Sequence, residues 1–106
     1  MAKRKDITGK ILKFYELIKN IYPIKSIILY GSFAKGKENI NSDIDVAVVV
    51  ELTDHLKRIE ITANLFHWAS KVDPNIEPKC FFWDEFQNYE KTSILGDIIR
   101  TGTQVV

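Results

Sequence analysis

Asp43 and Asp45 stand two residues apart at the head of an apolar run that ends in Ala47-Val48-Val49-Val50. On a strand, residues i and i+2 point to the same face. The two carboxylates then lie roughly 6–7 Å apart at their Cα atoms. Two charges about 6 Å apart repel by roughly 3 kcal/mol at an effective dielectric of about 20. A strand otherwise made of Val, Ile and Ala has no structural use for that repulsion, and a divalent cation removes it. Oxygen-only donors of this kind suit Mg²⁺, which keeps some waters and completes its shell with phosphate.

A second feature lies just upstream. The apolar stretch Ile27-Ile28-Leu29-Tyr30 runs straight into Gly31-Ser32. Glycine has no Cβ to block a phosphate from the backbone. Ser32 offers a hydroxyl and an N–H, and the following turn supplies further N–H groups, so the segment reads as an anion site. Lys35 and Lys37 are close enough to add positive charge. Phosphoryl chemistry on two metals calls for a third carboxylate. Glu51 shares the face of Asp43 and Asp45 but lies about 20 Å beyond Asp45 along an extended chain. Asp73 falls in the turn Asp73-Pro74-Asn75. Glu77, a lone charge between Ile76 and Pro78, is the better candidate.

Two similar patterns fail. Gly31, Gly36 and Lys37 match the opening of a P-loop, but Glu38 stands where a Ser or Thr must bind Mg²⁺. An EF-hand loop starting at Asp43 would need an oxygen ligand and a glycine where Ala47 and Val48 stand. His55 and His67 sit about 120° apart on a helix, too far round to share a metal, and read as surface or partly buried side chains.

The elements that must position these residues are legible from periodicity. Residues 6–22 carry Ile7, Ile11, Phe14, Tyr15, Ile18 and Tyr22 at helical spacing, with Asp6 or Thr8 as cap and Pro23 as the stop. Residues 25–30 and 44–50 are buried strands flanking a Gly-, Ser- and Asn-rich loop. Residues 54–70 form a second helix, capped by Asp54, whose inner face is Leu56, Ile59, Ala63, Phe66 and Ala69 or Ser70. Residues 76–82 are a third strand, where Pro78 points to an edge position or a strand start. Asp84 caps a short helix to Tyr89, and a last helix over residues 93–101 stops at Gly102 as a C′ glycine. Cys80, Trp68, Phe81, Phe82 and Trp83 are assigned to the core, with a partner surface as the alternative for Trp83. The fold class is α/β (α+β): a small mixed sheet covered by helices.

Composition sets outer limits. The chain has 106 residues, 45% hydrophobic and 27% charged, with a net charge of +1. That length predicts a single domain, residues 1–106. The near-zero charge argues against an extended nucleic-acid surface. No apolar run approaches the roughly 20 residues that span a bilayer. A single cysteine permits no internal disulfide, so a reducing cytoplasm is the expected compartment.

Gly31-Ser32, Ala34, Gly36 and Ser42-Asp43-Ile44-Asp45 together resemble the signature of the DNA polymerase beta-like nucleotidyltransferase superfamily. The small size is similar to that of its minimal nucleotidyltransferases, the MNT proteins paired with HEPN-domain toxins. The resemblance is specific over residues 31–45 and weaker at Ile76-Glu77-Pro78 and at Ile98-Ile99-Arg100-Thr101-Gly102. It implies the polymerase beta-like fold, with the triphosphate held at Gly31 and Ser32, near Lys35 and Ser42. It implies two Mg²⁺ ions on Asp43 and Asp45, and Glu77 as the third carboxylate, which also helps to deprotonate the acceptor. Many members have Asp at that third position.

The resulting expectation is a transferase that moves a nucleotidyl group, AMP from ATP, to a hydroxyl and releases pyrophosphate. The expected acceptor lies on a HEPN-type partner toxin, which makes the chain an antitoxin. Two alternatives follow from the same residues: a masking antitoxin that performs no chemistry, and a transferase acting on a small molecule such as an aminoglycoside. The sequence ends at Val106 without the helical acceptor domain of larger relatives, so a homodimer or a second polypeptide is expected to complete the site.

Overall fold

A computed structural model describes residues 4–31 and 43–106. Ser32, Lys35, Lys37 and Ser42 lie outside the described residues, and with them most of the expected phosphate loop. The elements run α1 (Arg4–Ile18), β1 (Ile24–Tyr30), β2 (Ile44–Val50), a 3₁₀ turn (His55–Lys57), α2 (Arg58–Ser70), β3 (Ile76–Phe82), α3 (Trp83–Gln87), α4 (Ile94–Thr101) and β4 (Thr103–Gln104).

The four strands form one mixed sheet in the order β3-β2-β1-β4. β1 is antiparallel to both β2 and β4, and β2 is parallel to β3. The parallel pair is joined through α2, as a parallel crossover requires. Pro78 sits on an edge strand, where a missing N–H is tolerated. Strand alternation gives the sheet two different faces. Ile27, Leu29, Ile44, Val46, Val48, Val50, Ile76, Cys80 and Phe82 meet α1 and α2 in the main core. Ile28, Ala47, Val49 and Phe81 meet Leu95 and Ile98 of α4 in a smaller one. The second face is thus covered at the end where β2 finishes. At the end where β2 begins, it carries Asp45 instead.

The stripe Ile7, Ile11, Phe14 and Ile18 is fully buried, as its spacing predicts. α1 nevertheless starts at Arg4, so neither Asp6 nor Thr8 is its cap. It also ends at Ile18, before Pro23. The N–H groups of Ile21 and Tyr22 both turn back to the Ile18 carbonyl at 3.0 Å, which satisfies the helix end early.

The inner face of α2 differs from the expected one. Ile61, Leu65 and Ala69 face the sheet, while Leu56, Ile59, Ala63 and Phe66 are exposed. The helix carries two apolar stripes about 140° apart at 100° per residue. Periodicity alone does not say which one meets a sheet. Asp54 caps only the 3₁₀ turn, accepting from the Leu56 N–H at 3.2 Å.

Asp84 is not the cap of α3. Glu85 accepts from the Phe82 N–H at 2.9 Å, and Asp84 contacts His55 at 3.0 Å. Ser93 caps α4 by accepting from the Gly96 N–H at 3.0 Å. Gly102 ends α4 with extended backbone, φ −81° and ψ 172°, not the left-handed turn of a C′ glycine. Crowding explains the residue better: an added Cβ would stand 2.5 Å from the Ile98 carbonyl and 2.6 Å from Ile28 Cγ2. The two-residue β4 that follows had no period to betray it. Phe81, Phe82 and Cys80 are buried as expected, whereas Trp68 and Trp83 are only partly buried.

Arg58 ties α2 to the β3–α3 junction. It donates to the Cys80 carbonyl at 2.7 Å and to Glu85 Oε2 at 2.6 Å. Burial, the largest single influence on Glu85, pushes its carboxyl up. The Arg58 hydrogen bond, the Phe82 N–H and the charges of Arg58 and His55 outweigh it and hold the group below its ordinary value. A depressed folded pKa contributes stability above the unfolded glutamate value, near 4.3, and loses it as pH falls through the folded one. Glu85→Gln is therefore expected to lower the Tm at pH 7. The loss should correspond to under about 1 kcal/mol, the usual limit for a partly exposed pair. The gap between variant and parent should close as pH falls below about 4. A gap that widens with acid would refute the assignment.

Candidate active site

Strand register decides what surrounds Asp45. Asp45 is opposite Tyr30 across the antiparallel β1–β2 pair and opposite Glu77 across the parallel β2–β3 pair. Tyr30, Asp45 and Glu77 therefore form a row across three strands, on the face that α1 and α2 do not cover. The Ile44 N–H donates to the Asn75 carbonyl at 2.8 Å, which pins the start of β2 beside the start of β3. Asp43, just before β2, is exposed at the mouth of the row.

The carboxylates lie close enough to act on one another. The Asp45 carboxyl is pushed up by burial first, then by the charges of Glu77 and Asp43 and by a hydrogen bond with Glu77. The Tyr30 hydroxyl is pushed up to about 12, first by burial and then by the charges of Asp45 and Glu77. Among the described residues no three acidic, His or Cys side chains already form a closed metal cage. Instead a hydrogen-bonded carboxyl pair has a third carboxylate close enough to repel it. An oxygen-only donor set carrying surplus negative charge fits a hard divalent cation.

Gly31 closes the site from above. It has φ +75°, a value that L side chains rarely adopt. A Cβ built there would stand 2.4 Å from Asp45 Oδ2 and 3.3 Å from its Cγ. Glycine is therefore required twice, by the turn out of β1 and by its approach to the carboxylate.

The row opens into a cleft of about 400 Å³ along edge strand β3. Tyr30, Asp45, Glu77, Lys79 and Phe81 line it from the sheet, and Arg58, Thr62 and Phe66 from α2. Of the residues singled out in the sequence, the fold brings Asp43, Asp45, Glu77 and Gly31 together. Glu51 follows the far end of β2 and lies 3.9 Å from Lys25. Asp73 is engaged with Lys10 and the Asn75 N–H. His55 and His67 are exposed on the 3₁₀ turn and α2. Sequence reasoning missed Tyr30, Lys79 and the three α2 residues. Tyr30 carried one signal, its position directly before Gly31; the others depended on the β2–β3 register and the placement of α2.

Asp45 at the head of one strand and a left-handed glycine after the antiparallel neighbour thus meet on one mixed sheet. A family profile described as polymerase beta, nucleotidyltransferase, matches residues 12–106, and the chain belongs to that family. It is similar to the putative protein adenylyltransferase MJ1215 of Methanocaldococcus jannaschii, 36% identical over 62 residues, which cover 58% of this chain and 72% of that protein. It is 38% identical over 70 residues to the protein adenylyltransferase MntA of Shewanella oneidensis, covering 65% of this chain and 47% of that one. The match thus spans about half the length of MntA. Among solved structures, a toxin–antitoxin with AMP-PNP superposes with TM-score 0.58 at 26% identity, covering 93% of this chain and 72% of that one. A nucleotidyltransferase-like protein from Sulfolobus solfataricus, described as putative, shares the fold at TM-score 0.66 and 14% identity, over 95% of this chain and 80% of that one. Among the described residues no helix is long and apolar enough to cross a membrane.

Proposed function

We propose that this chain is a Mg²⁺-dependent adenylyltransferase that modifies a hydroxyl on a partner protein, a HEPN-type toxin, and so acts as its antitoxin in the cytoplasm. The observation that carries the reading is the Asp45–Glu77 carboxyl pair, with Asp43 at its mouth and Gly31 packed over Asp45. The adenylyltransferase names of MJ1215 and MntA support it, as does the toxin–antitoxin neighbour with AMP-PNP. Residues 1–106 are read as one minimal nucleotidyltransferase domain.

In this reading the acceptor oxygen forms a bond to the α-phosphorus of ATP, the bond from that phosphorus to the bridging oxygen breaks, and pyrophosphate leaves. Gly31, Ser32, Lys35 and Ser42 hold the triphosphate through backbone N–H groups, hydroxyls and charge. Asp43, Asp45 and Glu77 are the residues that would hold Mg²⁺, two ions in all. Bound there, Mg²⁺ supplies Lewis-acid polarisation of the phosphate and neutralises the leaving pyrophosphate. Glu77, the exposed member of the pair, accepts the proton of the acceptor hydroxyl. Tyr30, held as the neutral phenol, walls the carboxyl row from the β1 side without adding negative charge.

Label transfer tests the reading. The purified chain is mixed with lysate of its native host, Mg²⁺ and ATP labelled at the α-phosphate, alongside the Asp43→Asn/Asp45→Asn double variant. A labelled protein band that disappears with the variant is expected. A variant that still neutralises the partner, with neither protein giving label, would replace catalysis by masking. Label appearing only in small molecules would move the acceptor to that class.

A further inference from the structure

The stripe that α2 leaves exposed is the least explained surface of the fold. Leu56 is 94% exposed, Ile59 84% and Phe66 44%, and Ala63 between them is exposed as well. At 100° per residue Ile59, Ala63 and Phe66 fall within an arc of about 60° on α2, and Leu56 stands on the 3₁₀ turn that leads into it. Single exposed apolar residues are ordinary, whereas a contiguous stripe marks a contact surface. The buried stripe Ile61, Leu65 and Ala69 already anchors the helix, so the outer one does nothing for the fold.

The stripe is continuous with the candidate active site. Phe66 belongs both to the exposed stripe and to the wall of the cleft that holds Asp45 and Glu77. Thr62 and Arg58, one and two turns before it, line the same cleft. Between α2 and the carboxyl row lies β3, and among the described residues no further strand pairs with its outer edge.

We infer that the outer face of α2 and of the 3₁₀ turn before it, centred on Leu56, Ile59 and Phe66, is the docking surface for the protein acceptor. The acceptor passes its hydroxyl over the edge of β3 into the carboxyl cleft. The inference rests on the proposed adenylyl transfer to a protein and adds where that protein binds. Its occupant is a folded partner with an apolar patch beside a Ser, Thr or Tyr hydroxyl. A second copy of this chain fits less well. Docked stripe to stripe, it would cover Phe66 at the wall of the cleft that an acceptor must enter.

The test uses the full chain and the label-transfer assay, with Leu56→Asp/Ile59→Asp compared with the parent. Both side chains are exposed, so the Tm is expected to stay within about 5 °C of the parent's. ATP binding measured by calorimetry in Mg²⁺ should be unchanged, and label on the acceptor protein should fall at least tenfold. The milder Ile59→Ala should show a smaller loss in the same direction. Equal labelling by parent and double variant would overturn the docking surface and leave the transferase reading intact. If the parent labels no protein, both fall together. A parent that is dimeric by light scattering, and becomes monomeric in Leu56→Asp/Ile59→Asp, would assign the stripe to a second copy and overturn the inference.

Discussion

Asp45→Asn is expected to lower adenylyl transfer by roughly 100- to 1000-fold while leaving the protein as stable as its parent or more so. The catalytic loss follows from charge. Removing a single preorganised donor from a transition-state site costs on the order of 100- to 1000-fold. Asp45 is the central member of the row, opposite Tyr30 on one side and Glu77 on the other. The stability gain follows from the environment of the same group. Burial, then Glu77 and Asp43, raise its folded pKa. A raised carboxyl pKa means that the ionised form weakens the native state at neutral pH. That penalty disappears as pH falls through the raised value. Asparagine is neutral at every pH and keeps the shape, so the Tm advantage of the variant should be greatest near pH 7 and fade in acid. Single-turnover transfer and thermal unfolding at several pH values measure both halves. A variant that loses activity and stability together would show that Asp45 is an ordinary structural carboxylate.

Gly31→Val should produce the second largest effect, on activity and stability at once. Two independent costs meet at this residue. A side chain at φ +75° costs roughly 1–2 kcal/mol in the left-handed region. A Cβ 2.4 Å from Asp45 Oδ2 cannot be accommodated without moving the carboxylate or the turn. Misplacing a reacting group by about 1 Å costs on the order of 100-fold in rate. Gly31→Ala should show the same pattern, with less crowding beyond the Cβ. Gly9→Ala provides the contrast. Gly9 lies inside α1, and a Cβ there meets nothing within 4 Å. Alanine is favoured over glycine in a helix interior by about 0.5–1 kcal/mol, so this variant should be more stable and fully active. If Gly31→Val binds ATP and transfers AMP at the parental rate, Gly31 is only a turn residue. Its closeness to Asp45 would then have no part in the chemistry.

Local signals carried the reading furthest where one element was enough. The apolar run after Asp43 and Asp45 could only be a strand, and it puts Asp45 at the head of β2 with Asp43 just before it. The two strands over residues 24–30 and 44–50, the buried α1 stripe and the edge position of β3 are all set by residue type along a short stretch of chain. Tertiary structure decided whatever required two elements to meet. Glu77 becomes a partner of Asp45 only through the parallel β2–β3 register; one residue of slip would send it to the opposite face. Tyr30 faces the carboxyls because β1 pairs antiparallel with β2 in that register. On α2 the sequence offers two apolar stripes of similar strength. The sheet takes Ile61, Leu65 and Ala69, leaving Leu56, Ile59 and Phe66 outside, because burial is decided by the surface a helix meets and not by its own period.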